Sequence, residues 1–272
     1  MSEVTGCGRQ VRVELLGPVR AWLGGRAVLL GPPQRQLVLA VLAMRAGTVL
    51  TRDELVDAIW EQAPDRAVGG LHKHVSALRA ALDPGHRGGS SDVVATACGG
   101  YALLVPAGAV DAAVFGRHRA AARQAAAAGD LAAAERHLRA ALGLWRGAAL
   151  SGLPGPWARA GRQRLAEARL TATAERNSIR LQLGLHAELI DELTSLTALH
   201  PLREELWYQL MLALYRSGYR TRAMTAFHDA RHALRDQLAI PPGPALRRLC
   251  HKILCDDPDL AVGQVLVPAA RN

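Results

Sequence analysis

The sequence predicts a mainly α-helical protein in two parts. An N-terminal winged helix-turn-helix, with a small β-sheet, three helices and a C-terminal hairpin, precedes an all-α tetratricopeptide-like domain. Three observations predict this. Apolar residues alternate near the N-terminus, an apolar stripe at helical spacing runs through residues 71–82, and in the second half matching apolar positions follow three glycines, the last two of them 34 residues apart.

Val11, Val13 and Leu15 alternate with Arg12 and Glu14, the period of a half-buried strand. Short apolar pieces at Val19–Leu23 and Ala27–Leu30, punctuated by Gly17-Pro18 and Gly24-Gly25, extend this into an antiparallel meander. Pro32-Pro33 opens a helix through about Ala46, with Leu37, Val38, Val41, Leu42 and Met44 on its apolar face and Gly47 as its stop. Thr51-Arg52-Asp53-Glu54 is a capping box for a second helix that buries Leu55, Val56, Ile59 and Trp60. Pro64 and Asp65 start a third helix, which runs to about Leu82 and closes at Asp83-Pro84-Gly85. After a glycine-rich gap, Val93–Thr96 and Tyr101–Val105 read as a hairpin turning at Gly99-Gly100.

On the third helix Leu71, Val75, Leu78 and Leu82 form one buried stripe. The opposite face carries Arg66, His72, Lys73, Ser76, Ala77 and Ala80, with Arg79 at its edge. Small and basic groups of this kind suit a helix that enters a major groove, where Arg and Lys meet phosphates and base edges. The same face also fits an ordinary solvated helix surface. His72 and His74 do not form a metal pair, because residues two apart on a helix point about 200° away from each other.

Beyond Asp111 almost nothing reads as strand. Gly129, Gly184 and Gly218 align as turns inside helical hairpins. Ala134, Leu138 and Ala141 follow the first, Leu189, Leu193 and Leu196 the second, and Ala223, Phe227 and Ala230 the third, at matching offsets. Trp207, Leu210 and Leu214 precede the third glycine as packing residues, and Pro201 ends the second unit. The second and third glycines are 34 residues apart, the tetratricopeptide period. The first two are 55 apart, which leaves room for an insertion containing Trp145-Arg146-Gly147 and Ser151–Pro156. Such stacks present a surface for a peptide or protein, although a helical bundle with no groove in use fits the same pattern. Trp157, Trp207, Tyr208 and Tyr215 are assigned to the core. The expected organisation is a flexible N-terminus (1–10), the winged helix (11–106), the helical domain (107–260) and a tail (261–272).

The formal charge is +9, carried by 31 Arg and by Lys73 and Lys252 alone among lysines. A basic total favours polyanionic partners. Residues up to Val105 contribute only +2, however, and the remainder +7. Cys7, Cys98, Cys250 and Cys255 include no Cys-x-x-Cys pair, and Cys250, His251 and Cys255 lack a fourth zinc ligand, so no metal is expected. No apolar run reaches the ~18 residues of a membrane span, and Met1–Gln10 lacks the apolar core of a secretory signal. A soluble, cytoplasmic, nucleoid-associated protein without membrane partners is the expectation. No nucleophile elbow, paired loop carboxylates or phosphate-cradling loop is visible. Neither an enzyme nor a cofactor is expected.

Several motifs carry a family resemblance. They are Leu16-Gly17-Pro18-Val19, Gln34–Leu37, Leu55–Trp60, Ala141–Gly147, His200–Glu204, Gln209–Gly218 and Ile240–Leu246. In this order they resemble the Streptomyces antibiotic regulatory protein (SARP) family of activators, in which an OmpR-type winged helix precedes a bacterial transcriptional activator domain. The resemblance implies binding to double-stranded promoter DNA at direct repeats near the −35 element. It also implies recruitment of RNA polymerase holoenzyme, through its sigma factor and core subunits, at secondary-metabolite (antibiotic) gene clusters. Family members can bind DNA side by side as head-to-tail homodimers. The chain is similar to the short, stand-alone form. The resemblance adds the wing residues Thr96, Gly99, Gly100 and Tyr101 to Arg66, His72, Lys73, Ser76 and Arg79 as DNA-contact candidates. Departures from the pattern fall where contacts matter. Gly69-Gly70 replaces the usual Asn or Thr, Ala77 and Ala80 stand at usual arginine positions, and Ala97 stands where the wing usually has Arg. A second reading follows from these departures, an interaction scaffold or co-regulator with weakened DNA binding.

Overall fold

The computed structural model describes residues 10–85 and 91–260. The expected N-terminal segment up to residue 9, part of the glycine-rich gap (86–90) and the tail 261–272 lie outside the described residues. The chain divides into two compact units, residues 1–121 with 139–170, and 122–138 with 171–272. The sequence boundary at 106/107 differs from this division, because the first unit takes in residues 107–121 and 139–170 as well.

In the first unit, β1 (Val11–Glu14), β2 (Arg20–Leu23) and β3 (Arg26–Val28) form an antiparallel meander in that order. Val11 pairs with Leu23, and Ala21 with Val28. Helix α1 (Pro33–Met44) starts with proline at its first turn, where the missing N–H costs nothing. It stops before Gly47, whose φ of +82° is accessible to glycine and whose N–H donates to the Leu103 carbonyl. The two-residue strand β4 (Leu50–Thr51) leads into α2 (Arg52–Ile59), followed by α3 (Ala67–Leu82), β5 (Val94–Ala97) and β6 (Gly100–Leu103). These strands make a second sheet in the order β4-β6-β5. The capping box of α2 is present. Glu54 N–H donates to Thr51 Oγ1 at 3.2 Å, and Thr51 N–H to Glu54 Oε2 at 2.8 Å. The second of these bonds is the main reason the Glu54 carboxyl lies below the usual range. Leu37, Leu42, Leu55, Leu71, Leu78, Leu82 and Leu103 are fully enclosed and form the core of the winged helix. Each contributes about 1.5–3 kcal/mol by leaving water.

A partly buried ionic clamp and backbone bonds join residues from 107–121 and 139–170 to the end of β1 and the turn after it. Asp111, at the start of α4 (Asp111–Ala127), accepts from Leu15 N–H at 2.8 Å and Leu16 N–H at 3.1 Å. Arg146 reaches the same carboxylate at 2.6 Å and Glu14 Oε2 at 3.0 Å. Its own N–H donates to the Leu16 carbonyl, and Leu150 and Ser151 continue the pairing to Leu15 and Gly17. A Cβ on Gly17 would sit 3.1 Å from that of Arg146, so the backbones meet where one of them carries glycine. Two family motifs more than a hundred residues apart, Leu16–Val19 and Ala141–Gly147, therefore touch.

The second unit draws on α4, α5 (Leu131–Gly143) and α6 (Pro156–Gln182) and adds α7 (Ile190–Leu199), α8 (Glu204–Arg216), α9 (Arg220–Leu238) and α10 (Pro244–Leu254). Gly129, Gly184 and Gly218 stand between α4 and α5, α6 and α7, and α8 and α9, with φ of +81°, +83° and +83°. Leu189, Leu193, Trp207, Leu210, Met211, Ala223 and Ala230 share one core with Leu246, Leu249 and Ile253. Leu196 and Phe227, expected in the seam, are half-buried. Arg176–Glu192 at 2.5 Å and Arg180–Glu188 at 2.6 Å tie α6 to α7, and Gln209 donates to the Ala174 carbonyl. Among the described residues no helix is long and apolar enough to cross a membrane.

Candidate nucleic-acid interface

The interface candidate centres on α3, which begins at Ala67 rather than at Pro64. Ala67 N–H closes a turn onto the Pro64 carbonyl, and Arg66 occupies the N-cap without a side-chain cap. The predicted stripe of Leu71, Val75, Leu78 and Leu82 is buried. Arg66, His72, Lys73, Ser76 and Ala80 face solvent, while Ala77 is half-buried. Gly70 lies against Trp60, where an added Cβ would stand 3.5 Å from the indole ring. His74 stacks on the same ring with centroids 6.4 Å apart. Partial burial, helped by Arg35, pushes its pKa below the ordinary histidine value.

The wing is the β5–β6 hairpin. Its turn is Cys98-Gly99, not Gly99-Gly100, since Ala97 pairs with Gly100 and the two residues between them have φ of +46° and +76°. Two positive φ values in a two-residue loop are the signature of a type I′ turn, whose twist matches that of the flanking strands. Gly100 has a different role from the one expected. Its Cα passes so close to β4 that a Cβ would fall 2.0 Å from the Leu50 carbonyl oxygen. Glycine is thus required for the third strand to join.

Arg79 departs furthest from expectation. Instead of lying at the edge of the outward face it is 9% exposed, with Nε donating to the Val94 carbonyl at 2.8 Å. One terminal nitrogen donates to Thr96 Oγ1 at 2.6 Å, and the guanidinium lies 5.8 Å from the Tyr101 ring centroid. Its charge is spent on holding the wing to the helix. Tyr101, 5% exposed, meets His72 edge-on with ring centroids 6.3 Å apart. The nine candidates therefore split in two. Arg66, His72, Lys73, Ser76, Thr96 and Gly99 are exposed, whereas Arg79, Gly100 and Tyr101 form the buried joint beneath them. A helical wheel places Arg79 at the boundary of the stripe, and only the position of the wing decides which way it turns.

The description "Bacterial transcriptional activator domain" matches residues 110–254, and "Transcriptional regulatory protein, C terminal" matches residues 25–103. Regulatory protein DnrI of Streptomyces peucetius is 37% identical over 269 residues, covering 96% of this chain and 98% of DnrI. The chain belongs to the SARP family of transcriptional regulators. Another SARP-type relative, regulatory protein AfsR of Streptomyces coelicolor, is 44% identical over 253 residues. Here the chain spans only 25% of the relative's length. Among solved structures, Mycobacterium tuberculosis EmbR, in complex with a low-affinity phosphopeptide, superposes with a TM-score of 0.86 at 34% identity. That similarity covers 92% of this chain and 66% of EmbR, consistent with a winged helix followed by a tetratricopeptide-like domain.

Proposed function

We propose that this SARP-family regulator is a sequence-specific DNA-binding activator. It binds direct repeats near the −35 element of promoters and recruits RNA polymerase holoenzyme at a secondary-metabolite gene cluster. Two copies occupy the repeat head to tail. The observation that carries this reading is the outward face of α3, with Arg66, His72, Lys73 and Ser76 exposed beside a wing that Arg79 braces. Such a helix fits a major groove about 12 Å wide. Its exposed hydroxyl and imidazole face base edges, and its cations face phosphates. The proposed setting is the cytoplasm, at the nucleoid, and the proposed role is non-enzymatic, as in regulators of this family.

The second reading, a scaffold or co-regulator with weakened DNA contacts, draws on the burial of Arg79 and on Ala77, Ala80 and Ala97 at usual arginine positions. Footprinting the purified chain on the upstream regions of its neighbouring genes separates the two. Protection of a direct repeat with units about one helical turn apart supports the activator. Protection only when holoenzyme is added assigns stable occupancy to polymerase. No protection in either condition favours the scaffold.

A further inference from the structure

We propose that one end of the second unit, where α7 passes into α8 and α9 into α10, is a docking surface for an acidic amphipathic protein segment. Helix lengths place the pieces together. α8 has 13 residues and α9 has 19, joined by the turn at Ser217–Tyr219. At 1.5 Å per residue α9 overshoots the start of α8 by about 9 Å. Its last turns, with Arg235 and Leu238, thus stand level with the His200–Arg203 turn. The Glu204 carboxylate accepts from Gly243 N–H at 2.6 Å, which pins the α9–α10 connection to the first residue of α8. The far end of that pair is fixed separately. Arg220 meets Asp256 at 2.8 Å and donates to the Leu254 carbonyl at 2.7 Å. α10 therefore runs antiparallel to α9, and it carries Arg247 and Arg248 four and five residues beyond the pinned Gly243.

This end is unusually apolar for an exposed surface. Leu199 is 73% exposed, Leu238 49%, Ile240 45% and Leu202 37%. Aliphatic side chains left in water at one end of a helical stack, where they form a contiguous patch, mark an interaction site. The charges around them are uneven. Arg231, Arg235, Arg247 and Arg248 are exposed and make no ion pair among the described residues. Of the nearby acids, Glu204 is held by Gly243, leaving Glu205 and Asp236 exposed. Exposed aliphatic side chains and unengaged guanidinium groups on the helices that meet at this end complement a segment that offers apolar anchors on one face and carboxylates around them, which arginine can bind through paired N–H donors. A nucleic-acid duplex would satisfy the arginines and leave the aliphatic groups without a partner. The proposal does not depend on the DNA-binding role of α3.

The test uses the full chain and a fluorescein-labelled 14-residue peptide with leucines at i, i+3, i+4 and i+7 and glutamates on the opposite face. A scrambled peptide of identical composition is the control, and the readout is fluorescence anisotropy. Saturable binding is expected, at least tenfold tighter than for the scrambled peptide, and not displaced by a duplex oligonucleotide. Leu199→Ser with Ile240→Ser, and separately Arg235→Glu with Arg248→Glu, should each weaken it at least tenfold while unchanged melting curves report an intact fold. Equal binding of the scrambled peptide, displacement by the duplex, or absence of binding would overturn the proposal. Capture on anionic vesicles without peptide binding would assign the surface to lipid and also overturn it. The scrambled-peptide and displacement arms use the unmodified chain, so they stand even if a variant fails to fold.

Discussion

α3 with its wing and the α9–α10 end of the second unit are both arginine-bearing surfaces, and they use arginine in opposite ways. Beside α3 the guanidinium of Arg79 is consumed internally by Val94, Thr96 and Tyr101. Arg66 and Lys73 are the cations that this helix shows to solvent. At the α9–α10 end Arg231, Arg235, Arg247 and Arg248 all remain exposed and unengaged among the described residues. Formal charge does not reveal this difference. A residue that looks like a phosphate contact on a helical wheel is a structural brace, and the freer cations lie in the half not proposed to read DNA. Affinity for DNA in the first unit should rest on shape and a few contacts, with correspondingly weak salt dependence.

The comparison can be broken most forcefully at Gly100. Gly100→Val places atoms where only 2.0 Å separates a Cβ from the Leu50 carbonyl, so β4 and the wing must part. A loss of about 4 kcal/mol, among the largest single-residue effects, is expected in urea denaturation. Arg79→Ala should cost about 1–3 kcal/mol by leaving the buried Val94 carbonyl unpaired. Amide exchange should rise across β5, and affinity should fall for every duplex sequence with an unchanged salt slope. A slope that fell by about 0.9 would instead make Arg79 a phosphate ligand. Lys73→Ala should give the reverse pattern, with stability retained and the slope of log K against log salt reduced by about 0.9.

The smallest effect concerns His74. Its folded-state pKa lies below the ordinary histidine value, because burial against Trp60 disfavours the charged ring and Arg35 repels it. The neutral form is therefore the one the fold prefers. The stabilisation is fully present above the unfolded value, near 6.5, and is lost as pH falls. The melting temperature should drop between pH 7.5 and 5.5, and His74→Gln should flatten that drop.

Much of this organisation was legible because it is periodic. The stripe on α3 and the glycines at turn positions follow from repeat spacing alone. The capping box of α2 could be read from four consecutive residues. β4 could not, since a two-residue strand has no period and exists only because β6 runs beside it. The ionic clamp escaped for a similar reason. Glu14, Asp111 and Arg146 lie far apart in sequence, and the alternation in β1 groups Glu14 with the exposed Arg12, whereas its side chain is buried against Arg146. The surplus spacing between Gly129 and Gly184 predicts an insertion. Arg146, Leu150 and Ser151 within it donate to the carbonyls of Leu15–Gly17, just past β1, and the 27-residue α6 fills the rest. At the candidate interface the outward face was legible, but the joint beneath it was not. Burial of Arg79, Gly100 and Tyr101 depends on contacts between the helix, the wing and β4.

The most direct test of α3 as the reading element is in vitro selection of binding sites from random duplexes, run in parallel for the unmodified chain, His72→Ala and Ser76→Ala. The expected result is a direct repeat for the unmodified chain, with each variant relaxing the preference at a different base of the repeat unit. Recovery of the same consensus by all three, with any loss of affinity shared equally by all sequences, would contradict it and place α3 outside the groove.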